Sequence, residues 1–424
     1  MKKNIKTLIF ALLNALLMVY LTFLSLEKDF KLGESQAVIK AISNIKRVLP
    51  ESKVVEKYPF LKKILPDNSD KPKENELLFI NISYDLKLID KLDEDGFPIG
   101  NQFITDREKL AKLFHILNST DSSYKYIICD VFFKDPSPDD EMLAQELAKM
   151  KNIRLSYHLN PDRTPDTPIF NAPKGLADYP VIQETFLKFH LITDDKYKSS
   201  PLLMYEDLYG KKLEKRGAFY YIGDKLCLNT IIIDHRIRNA NILEGKAITK
   251  YPLVYLGEFL SLPDSEIIKT TKNRIILIGD FLERDLHNTV VGKMGGTLVL
   301  LNVFLSLVYG DNLIDIWFFV ILFVGYFIIS LKLFMKNNLT DIKIFSKLKK
   351  YKFITFLLDI LGYLAYLSIL VVTIYFIYNI YISIVLVIVY IKLLEWIIKK
   401  LDKFAVKYQE KIRFKSNNFL GENI

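Results

Sequence analysis

Five side chains fall where a sheet would gather them into one polar site. Asp85, Asp130 and Asp280 each stand at or just past the end of a short apolar run. Asp285 and His287 follow the last of these runs within a few residues. In an open parallel sheet, ligands bind outside the carboxyl ends of the strands, where strand order reverses. Carboxylates gathered there with one imidazole suit a cation, an amine or a hard metal. The competing reading is structural, because short carboxylates at strand ends also cap helices and tie loops. No spacing sets up a nucleophile beside a base, so neither catalysis nor a cofactor is expected. Gly279, Gly292, Gly295 and Gly296 lack the G-x-G-x-x-G order of a phosphate cradle and read as tight turns needing positive φ. Cys129 and Cys227 are the only cysteines. They read as two buried thiols, with pairing left open, and no metal-ligand spacing is present.

The elements that must position these residues alternate in type. Leu77–Ile82, Tyr126–Phe133, Ile153–Leu159, Phe219–Ile222, Leu228–Asp234 and Arg274–Ile278 read as strands. Thr105–Asn118 reads as an amphipathic helix opened by a Thr105/Glu108 capping box, and Asp139–Met150 as a second one. Tyr251–Leu260 reads as a helix before the last strand, and Gly33–Leu65 as helical before a polar linker, Leu65–Glu76. This alternation predicts an α/β domain with a mainly parallel, doubly wound sheet.

The chain also carries membrane-type runs. Thr7–Leu26 has no charged residue and no cleavage pattern after it, so it reads as a retained anchor. Ile316–Met335 is a second span. Phe353–Ile398 is long enough for two more, turning near Tyr375, Tyr378, Asn379 and Tyr381. The expectation is four transmembrane helices, one N-terminal and three C-terminal. Two charges inside the last pair, Asp359 and Lys392, lie at matching depth and could form an intramembrane ion pair, with Glu395 as a competing partner.

Charge sets the orientation. The N-terminal tip, the 336–352 loop and the 399–424 tail carry +3, +5 and +4, and the positive-inside rule puts all three in the cytoplasm. Those segments exceed the whole-chain net charge of +9, which leaves the outer region near neutral. The basic balance is therefore topogenic, and no nucleic-acid partner is expected. The resulting organisation is 1–26 tip and anchor, 27–76 helical segment and linker, 77–312 outer domain, 313–398 membrane bundle, and 399–424 basic tail.

These elements resemble the CHASE2 extracellular sensor family. The resemblance rests on Ile82–Asp85 closing the first strand, and on Phe97-Pro98 with Ile104-Thr105-Asp106-Arg107 leading into the first helix. It continues through Ile128–Phe133 and Asp140–Leu143 to the closing block of Ile278-Gly279, Asp285–Thr289 and Gly295-Gly296. Val290 and Met294 stand where the family has prolines, and Asn302 lies near the place of a usual alanine. The resemblance implies an anchor, a sensor domain and three following spans in a bacterial inner membrane, with the domain in the periplasm or outside the cell. No catalytic output motif follows Ile398, so a separate cytoplasmic partner is expected to take the signal. The expected function is a sensor-like protein that binds a small ligand. The alternative is an assembly protein that binds other envelope proteins. Homo-oligomerisation is left open.

Overall fold

The computed structural model describes residues 2–26, 37–43, 71–93, 95–119, 123–179, 181–182, 185–186, 188–243, 250–311, 313–335 and 352–421. The chain divides into two units. One comprises Met1–Lys28, Ile316–Tyr375 and Tyr381–Ile424, and the other Asp29–Asp315 with Phe376–Ile380. Most of the expected Gly33–Leu65 helix, the first part of the linker and the 336–351 loop lie outside the described residues, although 37–43 are helical.

The larger unit is built on a central sheet. Its strands are β1 (Leu77–Asn81), β4 (Tyr126–Cys129), β5 (Ile153–Leu159), β6 (Lys174–Leu176), β7 (Leu253–Tyr255) and β8 (Ile275–Gly279). They lie side by side as β7-β1-β8-β4-β5-β6, every one of these pairs parallel, and a seventh short strand, Pro165–Asp166, pairs antiparallel with β5. Between β1 and β4 run a hairpin, β2 (Leu86–Leu92) with β3 (Pro98–Thr105), and then helix α2 (Arg107–Leu117). Helix α3 (Asp140–Leu147) connects β4 to β5. Helices α4 (Ser200–Tyr209) and α5 (Asp264–Thr271) follow later in the chain.

Both faces of the sheet are covered, which is why its strands read as unbroken apolar runs. Leu77 and Phe79 point into one core with Tyr126, Ile128 and Leu277. Leu78 and Ile80 point into the other with Ile127, Cys129, Ile276 and Ile278, beneath α2 and α3. Period-two alternation sends successive residues to opposite faces, so a single strand stabilises two layers.

After β8 the chain makes a second hairpin, β9 (Leu286–Thr289) and β10 (Gly292–Gly295), and enters α6 (Gly296–Tyr309). The buried residues of α6 run from Gly296 through Leu307. An apolar helix of this kind belongs to the domain core. A short strand, Leu313–Ile314, then pairs with Lys225–Cys227. The linkage to the next helix therefore runs through a sheet.

Three readings of the sequence are corrected here. Asp106, not Thr105, caps α2, its carboxylate accepting from Lys109 N at 3.2 Å, because Thr105 is held in β3 opposite Leu86. Tyr251–Leu260 is not one helix. It contains edge strand β7 and only a short helix, Leu256–Phe259. Of the four glycines, only Gly292 has positive φ, at 113°. Gly279 and Gly296 are needed for close approach: a Cβ on Gly279 would lie 1.9 Å from Thr297 Oγ1, and one on Gly296 2.3 Å from Asp285 Oδ2.

The smaller unit holds α1 (Lys2–Leu26), α7 (Ile316–Phe334), α9 (Ile384–Gly421) and all but the last three residues of α8 (Lys352–Tyr378), which belong to the larger unit. Among the described residues, three helical segments are long and apolar enough to cross a membrane: Ile5–Leu26, Ile316–Phe334 and Ile360–Tyr378. In α9 the apolar run is interrupted by Lys392, Glu395, Lys399 and Lys400. Side-chain hydrogen bonds join the helices where water is excluded. Asn14 Nδ2 donates to Ser330 Oγ at 2.8 Å and Tyr390 Oη donates to Asn14 Oδ1 at 2.7 Å. Thr22 and Tyr326 share a hydroxyl–hydroxyl bond of 2.8 Å.

Candidate functional site

The five expected residues do not form one group. Asp85 turns toward α2. It is buried, pairs with Lys109 Nζ at 2.6 Å, and accepts from Gly257 N at 3.3 Å. Its role is to tie the end of β1 to neighbouring elements. Asp280 is also engaged structurally. Its Oδ1 accepts from Ser83 Oγ and from the amides of Leu282 and Glu283, and its Oδ2 from the amide of Arg284. Burial alone would push this carboxyl up, yet those donors win and hold it below the usual range. The loop after β8 is folded around Asp280.

Asp130, Asp285 and His287 are brought together. Asp130 ends β4, with Ser156 Oγ donating to Oδ1 at 2.6 Å and Thr297 Oγ1 donating to Oδ2 at 3.2 Å. Asp285 receives Gly296 N on Oδ2 at 3.0 Å and meets His287 Nε2 through Oδ1 at 2.6 Å. Both carboxylates thus grip the first two residues of α6, where unpaired amides and the helix dipole favour negative charge. Burial first, and the charge of Asp285 second, push Asp130 up to about 6, against the hydrogen bonds of Ser156 and Thr297. His287 lies on strand β9, not on a loop.

Four neighbours complete the group and were not foreseen. Tyr179 Oη lies 2.6 Å from His287 Nδ1. The same hydroxyl lies 3.1 Å from His287 Nε2, which meets Asp285, so the three side chains form a Tyr–His–Asp cluster. Burial, then the charges of Asp285 and Asp130, raise the Tyr179 phenol. His158 Nδ1 lies 2.7 Å from Asp178 Oδ1, and that bond leads the factors raising the imidazole. Ser156 and His158 occupy alternate positions of β5, so they share one face of the sheet, and that spacing was visible in the sequence. Asp178 and Tyr179 lie in an irregular proline-rich stretch that gives no such signal.

Beside this group opens a cleft of about 250 Å³ under the β2–β3 hairpin, lined by Asp130, Asp285, Arg284, Phe103 and Phe132 among others. Arg107, 3% exposed, anchors its floor through ion pairing with Asp140 and a bond to the carbonyl of Asp135. Among the described residues no cluster of three or more His, Cys, Asp or Glu is arranged to hold a metal ion. The arrangement offers two adjacent carboxylates, one exposed guanidinium and an aromatic wall. Such a surface binds by charge and hydrogen bonding.

The side chain of Asp359 lies outside the described residues, so its expected pairing with Lys392 does too. Lys392 Nζ is 3.1 Å from Glu395 Oε2 and 5.0 Å from the centre of the Tyr363 ring. Tyr363 Oη donates to Glu395 Oε1 at 3.0 Å.

The CHASE2 domain model matches residues 74–334 of the chain. No curated protein and no solved structure matches it.

Proposed function

Because the chain belongs to the CHASE2 domain family, we propose that it is a membrane-anchored, non-enzymatic sensor of a small ligand bound at the Asp130–Asp285 cleft. One observation carries this reading: both carboxylates that face the cleft also hold the first residues of α6, Gly296 and Thr297. A ligand that engages the carboxylates competes with those bonds, and so prefers one setting of α6 over another. From α6 the chain continues through Leu313–Ile314 into α7, the route by which a separate cytoplasmic partner would be biased. The chemistry favours a ligand with a cationic or donor-rich end for the aspartates and an apolar body for Phe103 and Phe132.

The reading takes α9 as a fourth span, with the lysine-rich segments in the cytoplasm of a bacterial cell and the domain outside the inner membrane. Tyr390 supports this, because its bond to Asn14 sets Tyr390, nearly two turns into α9, at the depth of the middle of α1 and leaves the start of α9 nearer the outer surface. Lys392 and Glu395 then neutralise one another within the inner half of the span.

Thermal unfolding of the full-length protein in detergent, against a panel of amines and amino acids, tests the ligand reading. A stabilising compound should lose its effect in Asp130→Asn and Asp285→Asn while Asp85→Asn retains it. A compound that stabilises all three variants equally would move the site elsewhere.

A second reading, envelope assembly, is favoured by the β2–β3 hairpin. Leu88 and Phe103 are cross-strand partners on it, 52% and 64% exposed, and Phe97 at its turn is 67% exposed. Crosslinking from a photoreactive residue at position 97 in intact cells distinguishes the two, since the ligand reading expects no recurrent protein partner there.

A further inference from the structure

A four-stranded antiparallel sheet of the larger unit has no part in the cleft. Its strands, Leu213–Arg216, Phe219–Ile222, Lys225–Cys227 and Leu313–Ile314, are antiparallel neighbours in that order. Register shows which residues share an end. Leu226 pairs with Ile314, so one step further sets Lys225 opposite Asp315, the residue before α7 begins. Ile222 pairs with both Lys225 and Leu213, which brings Lys211 and Lys212 to the same end. Strands are about 4.8 Å apart, so all three lysines lie within roughly 15 Å of Asp315.

Asp315 is marked as a bilayer boundary twice over. It immediately precedes Ile316 and Trp317, which are 69% and 64% exposed at the start of an apolar helix. It also accepts a 2.7 Å bond from the hydroxyl of Tyr378, in the turn where α8 ends and the chain doubles back. Asn379 of that turn donates to Ile232 O at 2.8 Å. Aromatic rings with polar tips concentrate at such boundaries.

The acids at this sheet are otherwise engaged. Glu214 pairs with Arg216 at 3.1 Å, and Asp224 lies 3.8 Å from the same guanidinium. Lys211, Lys212 and Lys225 are exposed, and none forms an ion pair among the described residues. From 211 to 225 the chain carries five cationic side chains against two acidic ones, within an outer region that is slightly acidic as a whole.

We propose that Lys211, Lys212 and Lys225 bind the phosphate groups of anionic phospholipids in the leaflet at which α7 begins, holding this sheet against the bilayer. Three ammonium groups this close to the residue at which α7 begins are within reach of the negative potential of an anionic membrane surface. The proposal rests on α7 crossing the bilayer and is independent of any ligand in the cleft.

Hydrogen exchange on the full-length protein in nanodiscs tests it, comparing phosphatidylcholine alone with discs that also contain phosphatidylglycerol. Amides at 210–213 and 223–225 should exchange several-fold more slowly with phosphatidylglycerol. The difference should shrink at high salt and vanish in the triple variant Lys211→Gln, Lys212→Gln, Lys225→Gln. Equal exchange in both discs, or protection that survives in the triple variant, would overturn the proposal. Protection by free inorganic phosphate in phosphatidylcholine discs would also overturn it, since the site would then be a soluble-anion site. Release of the chain from native membranes by alkaline carbonate would remove the α7 premise and the proposal with it, while leaving the cleft reading to its own test.

Discussion

Thr297 Oγ1 donates to Asp130 Oδ2 across 3.2 Å, joining the second residue of α6 to the carboxylate that ends β4. Asp285 grips the preceding amide, of Gly296, from the other side. The N-terminus of the buried helix is therefore held by two carboxylates that repel one another, balanced by neutral donors. That balance depends on pH.

Asp130 has a folded pKa of about 6, above the ordinary 3.8. The folded state therefore binds the proton more tightly than the unfolded chain does, and this group's contribution to stability is fully present below about pH 3.8 and is lost as pH rises through about 6. Asp130→Asn keeps an acceptor for Thr297 and removes the charge. At pH 7.5 the variant should be more stable than the parent by up to about 3 kcal/mol. Denaturant unfolding at several pH values checks this. A variant less stable than the parent at pH 7.5 would mean that the charge itself holds the helix.

His235 works in the opposite sense. Burial lowers its pKa from 6.5 to about 4, and among the described residues its Nδ1 has no hydrogen-bond partner. As pH falls below 6.5 the unfolded chain takes up a proton that the folded protein refuses until about pH 4. Stability should fall by roughly 3 kcal/mol over that window. His235→Phe should flatten the acid limb, read in the same unfolding series against Asp130→Asn.

Gly279→Ala should cost about 3 kcal/mol, because the new methyl meets Thr297 Oγ1 in a fully covered layer. Adding Thr297→Ala removes the nearest obstructing atom and should recover part of the loss. Full additivity of the two costs would show that the clash lies elsewhere.

Inside the membrane unit, Lys392 sits beside Glu395. If that pair is the neutralising one, Glu395→Gln with Lys392→Met should be better expressed than either single change, by several-fold. The same double-variant comparison with Asp359→Asn measures whether Asp359 shares the lysine. Fluorescence-detected size exclusion of tagged variants gives the readout.

Composition and local pattern were enough for several elements. Ile153–Leu159 is a strand over its whole expected length, and Phe219–Ile222 likewise. Both signals are local: a covered strand must be apolar, and a span must exclude charge over about 20 residues. The β2–β3 hairpin escaped notice because its exposed strands mix lysine, aspartate and asparagine with their apolar residues. The fourth span is ambiguous for the same reason, since Lys392 and Glu395 break the apolar run that would mark it.

Which polar residues meet was decided by the tertiary structure. Strand β8, the last strand of the central sheet in chain order, inserts between β1 and β4, and no local periodicity encodes that placement. It carries Asp285 and His287 to Asp130, and it lays α6 over the sheet so that Thr297 reaches the end of β4. Asp85 is one strand away yet turned toward Lys109, on the other side of the sheet's edge. The sequence alone determined residue types and their order along each strand, because those follow from burial and alternation. Partnership across the sheet needed strand order and the direction of each loop, which arise only when both cores close together.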